Sequence, residues 1–253
     1  MPGNSRSRSA RLLAGERPLT EPTETSGTAT TWVAIPAYNC AATVAGVVAA
    51  VSRENHPVLV IDDGSDDDTS LAAREAGAEV LRNPQNLGKG ASIRRALAWA
   101  RNRQIERLVT MDGDGQHLAS ELGKLLGAAA SKPDAIVIGQ RIVAPAMVSA
   151  NKLFGNRFAN RWVEIACKKA IPDTQSGFRV YPVAATLALG TRARRFAFET
   201  EVLIRAVRAG VEIHSQPVRV YYPPADQRTS HYRPFVDTVR IIFVVLGLIF
   251  RLY

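Results

Sequence analysis

Asp112-Gly113-Asp114-Gly115-Gln116-His117 directly follows the apolar run Leu108 to Met111 and sets two carboxylates two residues apart, with glycine between and after them. At the end of a strand, such a pair can turn its oxygens toward one hard cation while the glycines leave room for phosphate beside the backbone. Oxygen donors of this kind suit Mg²⁺ or Mn²⁺. The plainer alternative is a surface turn whose Asp side chains cap the next helix. A second acidic run, Asp62-Asp63-Gly64-Ser65-Asp66-Asp67-Asp68-Thr69, divides in two. Asp66 to Asp68 read as a helix start, where carboxylates accept from free N–H groups at the positive end of the dipole. Asp63 stands at a strand end instead, where an acceptor can meet the N–H edge of a base. The third segment, Asn83-Pro84-Gln85-Asn86-Leu87-Gly88-Lys89-Gly90, is a turn entering a helix. It can cradle a phosphate or serve only as a connection.

These groups need elements to hold them. Short apolar, often β-branched runs occur at Thr31 to Pro36, Val58 to Asp62, Glu79 to Leu81, Leu108 to Asp112 and Ala135 to Gly139. Helical stretches separate them at Ala41 to Arg53, Ser70 to Ala76, Lys89 to Asn102 and Leu118 to Ala130. Nearly continuous apolar strands alternating with helices predict an α/β fold, a mostly parallel sheet covered on both faces. Ligands gather at the carboxyl ends of such strands. The residues there are Ala37-Tyr38-Asn39, Asp63-Gly64-Ser65, Gly113-Asp114 and Gln140-Arg141, so four strand ends point at one cleft. Neither G-x-G-x-x-G nor G-x-x-x-x-G-K-[ST] occurs, which argues against a nicotinamide enzyme and a P-loop nucleotidase. After residue 140 the pattern changes. Asn151 to Lys169 reads as a helix with Phe154, Phe158, Trp162 and Ile165 on one stripe. A polar segment, Asp173 to Arg179, follows, then a helix near Glu199 to Ala209 and a strand pair around Val211 to Tyr222.

The chain has 253 residues, 46% of them apolar and 22% charged, which suits a globular core and excludes disordered or fibrous classes. Its two cysteines, Cys40 and Cys167, are too few for a disulfide scaffold or a Cys-rich zinc site and fit a reducing compartment. The net charge of +9 is uneven: +3 over residues 1–17, −4 over 18–139 and +10 over 140–253. Nucleic acid is therefore not the default partner. A phosphate-bearing ligand or an anionic membrane face is expected on the later half. Residues 1–30 lack an apolar signal core and read as a disordered basic, Ser-Thr-Pro-rich tail. Ile241 to Phe250 is ten uncharged residues between Arg240 and Arg251, short of the ~20 needed to span a bilayer. Over 234–253, Asp237, Arg240, Gly247 and Arg251 share one helical stripe in an otherwise mostly apolar segment. That predicts an apolar C-terminal helix lying in a membrane interface, against a partner protein or second copy, or on its own domain.

Ile35-Pro36-Ala37-Tyr38-Asn39, Val60-Ile61-Asp62-Asp63-Gly64-Ser65, Asn86-Leu87-Gly88-Lys89-Gly90, the Asp112 to His117 segment and Asp173-Thr174-Gln175-Ser176-Gly177-Phe178-Arg179 occur in that order. Together they resemble family 2 glycosyltransferases of the GT-A fold, particularly the polyprenyl-phosphate (dolichol-phosphate) sugar synthase branch, over roughly residues 31–233. The resemblance implies a Rossmann-like sandwich and a metal-dependent, inverting transfer from a nucleotide-diphosphate sugar; the basic later half, the helix Asn151 to Lys169 and the apolar tail point to a lipid-linked acceptor, with the protein peripheral at the cytoplasmic membrane face. The resemblance further implies that Pro36, Ala37, Tyr38 and Asp63 hold base and ribose, with Lys89 also among the donor-binding residues. Asp112 would sit by the nucleotide sugar, Asp114 and Gln116 would ligate the metal, and Arg141 and Arg228 would face phosphates. Breaking a sugar–phosphate bond builds negative charge on the leaving group, which a cation and nearby Arg stabilise. Thr229 and His231 replace the Gly and Lys of that branch, which leaves another membrane lipid or a glycan hydroxyl as an alternative acceptor. A hydroxyl needs a general base where a phosphate does not. Asp173 is the candidate, with Glu201 behind it. Their plain readings are a turn after Pro172 and an i,i+4 pair with Arg205. His117 and His231 are hydrogen-bond candidates without the partners of a zinc site. Two rival classes remain: a nucleotidyltransferase, which also uses paired carboxylates on an α/β sheet, and a non-catalytic nucleotide-sugar-binding module.

Overall fold

The computed structural model describes residues 31–142, 160–222, 242–248 and 250. Its first half alternates strand and helix: β1 (Thr31–Ala37), α1 (Ala41–Arg53), β2 (Val58–Asp62), α2 (Thr69–Glu75), β3 (Glu79–Arg82), α3 (Lys89–Asn102), β4 (Arg107–Thr110), a 3₁₀ turn (Ala119–Glu121), α4 (Leu122–Ser131) and β5 (Ile136–Arg141). Then come a helix α5 at 160–167, β6 (Arg179–Pro182), α6 (Val183–Ala188), α7 (Ala197–Arg208) and β7 (Ile213–Val218). A last helix, α8, covers 242–248.

Every residue of β2 is buried, as its uninterrupted apolar run requires of a strand covered on both sides. In α1, Val44, Val47, Val48 and Val51 recur at helical spacing and are the buried face. Burying each contributes roughly 1.5–3 kcal/mol. They join one apolar layer with α4, through Leu122 and Leu125. The opposite layer takes Ile93, Leu97 and Trp99 of α3 and Phe198, Val202 and Leu203 of α7. The mostly parallel sheet with helices on both faces is thus the observed architecture.

The seven strands run in the order β3-β2-β1-β4-β6-β5-β7. All neighbours are parallel except at β6, which is antiparallel to both β4 and β5. This one reversal decides the site. A strand running against its neighbours begins where they end, so Arg179 of β6 lies opposite Thr110 of β4 and Ile138 of β5. The loop before β6 is thereby delivered to the carboxyl edge of the sheet.

Two expectations are corrected here. The segment through Arg179 is not wholly a polar connection, because Arg179 opens β6. The strand pair around Val211 to Tyr222 is a single strand, β7, parallel to β5, with only an isolated bridge between Val220 and His117 beyond it. β7 found its partner in β5, and among the described residues it forms no local hairpin.

The 1–30 tail, residues 143–159 with Phe154 and Phe158, and 234–241 lie outside the described residues. Within 234–253, α8 buries Val244, Val245 and Leu248 in the same layer as α7, and Arg208 donates to the Leu248 carbonyl at 2.8 Å. Phe243 and Phe250 face out, 69% and 67% exposed. Among the described residues no helix is long and apolar enough to cross a membrane.

Candidate active site

The ends of β1 and β2 form the first wall. Ala37 pairs with Asp62 in register, and the Asp63 amide donates to the Ala37 carbonyl at 2.8 Å. Asn39, in the left-handed region at φ 48°, receives the Asp66 amide on Oδ1 at 2.8 Å and donates its own amide to Ser65 Oγ at 2.9 Å. Pro36, Ala37 and Tyr38 therefore sit on a cross-braced edge. Among the predicted capping carboxylates, Asp67 does the capping. It accepts from the Thr69 amide and hydroxyl and from the first amide of α1, Ala41, at 3.0 Å. Asp68 makes no side-chain cap.

Asp63 has a task that strand-end placement did not reveal. Its Oδ1 accepts from Asn83 Nδ2 at 2.7 Å and the Leu87 amide at 3.0 Å, and its Oδ2 accepts from the Gly88 amide at 2.7 Å. The carboxylate is thus the anchor of the loop into α3. Gly88 can complete that turn because its φ is +91° and a Cβ there would lie 2.7 Å from Arg195 Cγ.

At the centre stands Asp112, just past β4. Lys89 Nζ lies 2.5 Å from Asp112 Oδ1 and 2.6 Å from Glu199 Oε1. His117 Nε2 lies 3.6 Å from Asp112 Oδ2. Burial alone would raise the Asp112 pKa, but Lys89 and His117 outweigh it and hold the carboxyl well below the usual range. Burial alone would lower the Lys89 pKa, and the two carboxylates reverse that, holding the ammonium above its ordinary value. His117 is buried against Phe178, ring centroids 5.2 Å apart, and its Nδ1 has no hydrogen-bond partner among the described residues.

Asp114 is the counterpart without a cation. Burial, then the charge of Asp112, push its pKa up. Its Oδ1 accepts the Gln116 amide at 3.0 Å, and no Lys or Arg of the described residues pairs with it. The Gln116 carbonyl accepts the Tyr221 amide at 2.8 Å, which steadies the loop. Among the described residues no group of three or more His, Cys, Asp or Glu side chains could hold a metal ion. The donor set fits a cation that takes one carboxylate and one amide oxygen from the protein and its remaining oxygens from a diphosphate and water, as Mg²⁺ commonly does.

The third wall joins Arg141 at the end of β5 to Asp173 before β6. Arg141 Nη2 and Nε donate to Asp173 at 2.6 and 2.8 Å, and the Arg141 amide donates to the same carboxylate at 2.9 Å. Asp173 adopts φ +54° to reach them. Burial would lower the Arg141 pKa, but Asp173 raises it above the usual guanidinium range. The candidate base is therefore bound up in a fork. Glu201 follows its plain reading: it pairs with Arg205 at 2.6 Å and also accepts the Arg192 and Ala193 amides. Neither carboxylate is presented as a free proton acceptor.

Glu199 is the site residue that sequence reasoning missed. Its one signal is that α7 is buried from Ala197 through Ile204, acids included, which requires a partner inside the protein. Arg228 and His231 lie outside the described residues.

The family model described as glycosyl transferase family 2 matches residues 32–190. Glycosyltransferase AglJ of Haloferax volcanii is 31% identical over 214 residues, 83% of this chain and 69% of that protein. The polyprenol monophosphomannose synthase of Mycolicibacterium smegmatis is 29% identical over 220 residues, 81% of each chain. Among solved structures, glucosyl-3-phosphoglycerate synthase from Mycobacterium tuberculosis, in complex with Mg²⁺ and uridine diphosphate, superposes with a TM-score of 0.65 at 21% identity, covering 87% of this chain and 79% of that one. At that identity the likeness speaks for the fold.

Proposed function

The chain belongs to glycosyl transferase family 2 and is a glycosyltransferase; from that premise we propose that it transfers a sugar, with inversion, from a nucleoside-diphosphate sugar to the phosphate of a membrane-bound polyprenol. The observation that carries the acceptor class is the engagement of the two carboxylates offered as a base. Asp173 is forked to Arg141 and Glu201 is paired to Arg205. A hydroxyl acceptor must lose a proton, whereas a phosphate is already an anion and needs no base. The synthase named above carries polyprenol in its name, which supports the same class.

In this reading Pro36, Ala37 and Tyr38 seat base and ribose on the edge that Asp63 and Asn39 brace. Asp112 lies beside the sugar. Asp114 and Gln116 hold Mg²⁺ or Mn²⁺, which supplies positive charge to the departing diphosphate. Arg141 and Arg228 face phosphate groups, where charge-assisted contacts grow stronger as the bond breaks. The basic later half and the outward Phe243 and Phe250 support a peripheral position at the cytoplasmic membrane face.

A thermal-shift screen of UDP- and GDP-sugars with Mn²⁺ identifies the donor, since a ligand that binds only the folded state raises Tm. Transfer is then followed with polyprenyl phosphate in vesicles. Asp114→Asn is expected to abolish transfer with Tm retained. Full activity in that variant or in excess EDTA would refute the reading. Release of pyrophosphate would point to a nucleotidyltransferase, binding without turnover to a non-catalytic module, and transfer only to hydroxyls to a glycan or other lipid acceptor.

A further inference from the structure

Lys89 stands in the segment assigned to donor binding, yet its charge is turned inward. Its ammonium has three N–H bonds. Nζ is ion-paired with Asp112 Oδ1 at 2.5 Å and with Glu199 Oε1 at 2.6 Å. The Phe196 ring lies 5.6 Å away, within range of a cation–π contact. A lysine held this way is not available as a mobile phosphate ligand. It is a bridge that fixes the side chain of Asp112 to α7.

The surroundings close the bridge from two more directions. A Cβ at Gly177 would stand 2.6 Å from both Asp112 carboxylate oxygens and from Lys89 Nζ, so the loop before β6 lies directly on the ion pair. Arg179, fully buried, donates to the carbonyls of Glu199 at 2.9 Å, Thr174 at 2.7 Å and Ser176 at 2.8 Å. That binds the same loop to the start of α7. Asp112, Lys89, Gly177 and Glu199 come from four separate stretches of chain and meet at one point.

Resting on the transferase reading, we propose that Glu199 and Lys89 are positioning residues: Glu199 sets Lys89, Lys89 sets the Asp112 carboxylate against the donor sugar, and Gly177 is required for the fit. Neither Glu199 nor Lys89 touches substrate. Their effect is on the orientation of Asp112.

The test combines kinetics with a spectroscopic signature on the full chain. A largely enclosed ammonium, its side chain 14% exposed and paired with two carboxylates, exchanges slowly and is expected to give a ¹H–¹⁵N correlation for Lys89 that disappears in Glu199→Gln. The same variant is expected to lower kcat ~10–100-fold, since misplacing a group at the reacting centre by about 1 Å can cost about 100-fold, with donor KM changed less than about threefold because uniform binding is untouched. Gly177→Ala crowds the bridge without removing any hydrogen-bonding group and is expected to show the same split, which keeps the test decisive if Glu199→Gln does not fold. Wild-type kcat in either folded variant, a loss confined to donor KM, or no ammonium signal in the wild type would overturn the proposal. Absence of turnover by the wild type would refute the transferase reading alone. The bridge would still be tested by the ammonium signal and its loss.

Discussion

Asp173 and Arg141, 32 positions apart, meet through three donor–acceptor contacts of 2.6 to 2.9 Å. A forked guanidinium–carboxylate pair is about twice as strong per bond as a neutral one, and here it also fixes a left-handed backbone at Asp173. Its two members therefore act as one unit. Asp173→Asn and Arg141→Met are each expected to reduce transfer to a phosphate acceptor, and the double variant to lose little more than either alone. Steady-state kinetics over the four-member cycle measure this coupling. An Asp173→Asn loss that adds independently to that of Arg141→Met would restore Asp173 as a base. The residue scale also shows how limited a spacing argument is. Asp112 and Asp114 look equivalent in sequence, and the fold gives the first a lysine and the second no Lys or Arg partner among the described residues.

At the scale of elements, Glu121 ties two of them together from a fully buried position. It accepts from Arg219 Nε just beyond β7 and from Lys124 in α4, both at 2.7 Å. Burial would raise its pKa, but these partners prevail and lower it from the ordinary 4.5. A carboxylate with a depressed folded-state pKa stabilises the fold above its unfolded value, and that contribution is lost as pH falls through the folded value. Glu121→Gln is therefore expected to cost about 1–2 kcal/mol near neutrality and progressively less below pH ~4.5, as urea midpoints at pH 7 and pH 3.5 would show. The first half of the chain was legible because its central strands, β2 above all, are buried on both faces and so read as apolar runs, and because Val44, Val47, Val48 and Val51 mark one helical face. β6 was not, because it is four residues long, begins with an arginine and ends with Pro182. A buried Arg179 is tolerable because it donates to the Thr174 and Ser176 carbonyls of the loop just before it and to the Glu199 carbonyl of α7. Glu199 was hidden because its partner, Lys89, stands on another helix far away in the chain.

On the scale of the whole molecule, α8 seats one face on the domain while Phe243 on it and Phe250 just past it are exposed. Aromatic rings at such positions favour a membrane interface, and the later half carries the positive charge that anionic lipid attracts. Replacing both phenylalanines by serine is expected to weaken sedimentation with phosphatidylglycerol vesicles while leaving nucleotide-sugar thermal shifts unchanged. Equal vesicle binding by the variant would remove α8 from the contact. The placement of β6 has one more outcome, which concerns synthesis. β4 can complete its pairing only when β6 arrives, because β5 does not adjoin it. A nascent chain halted between residues 142 and 179 therefore carries a bare strand margin beside the apolar ladder of β1 and β2, a template for joining another chain. Pausing in that interval is expected to raise aggregation of the nascent chain, as pelleting of stalled chains would show.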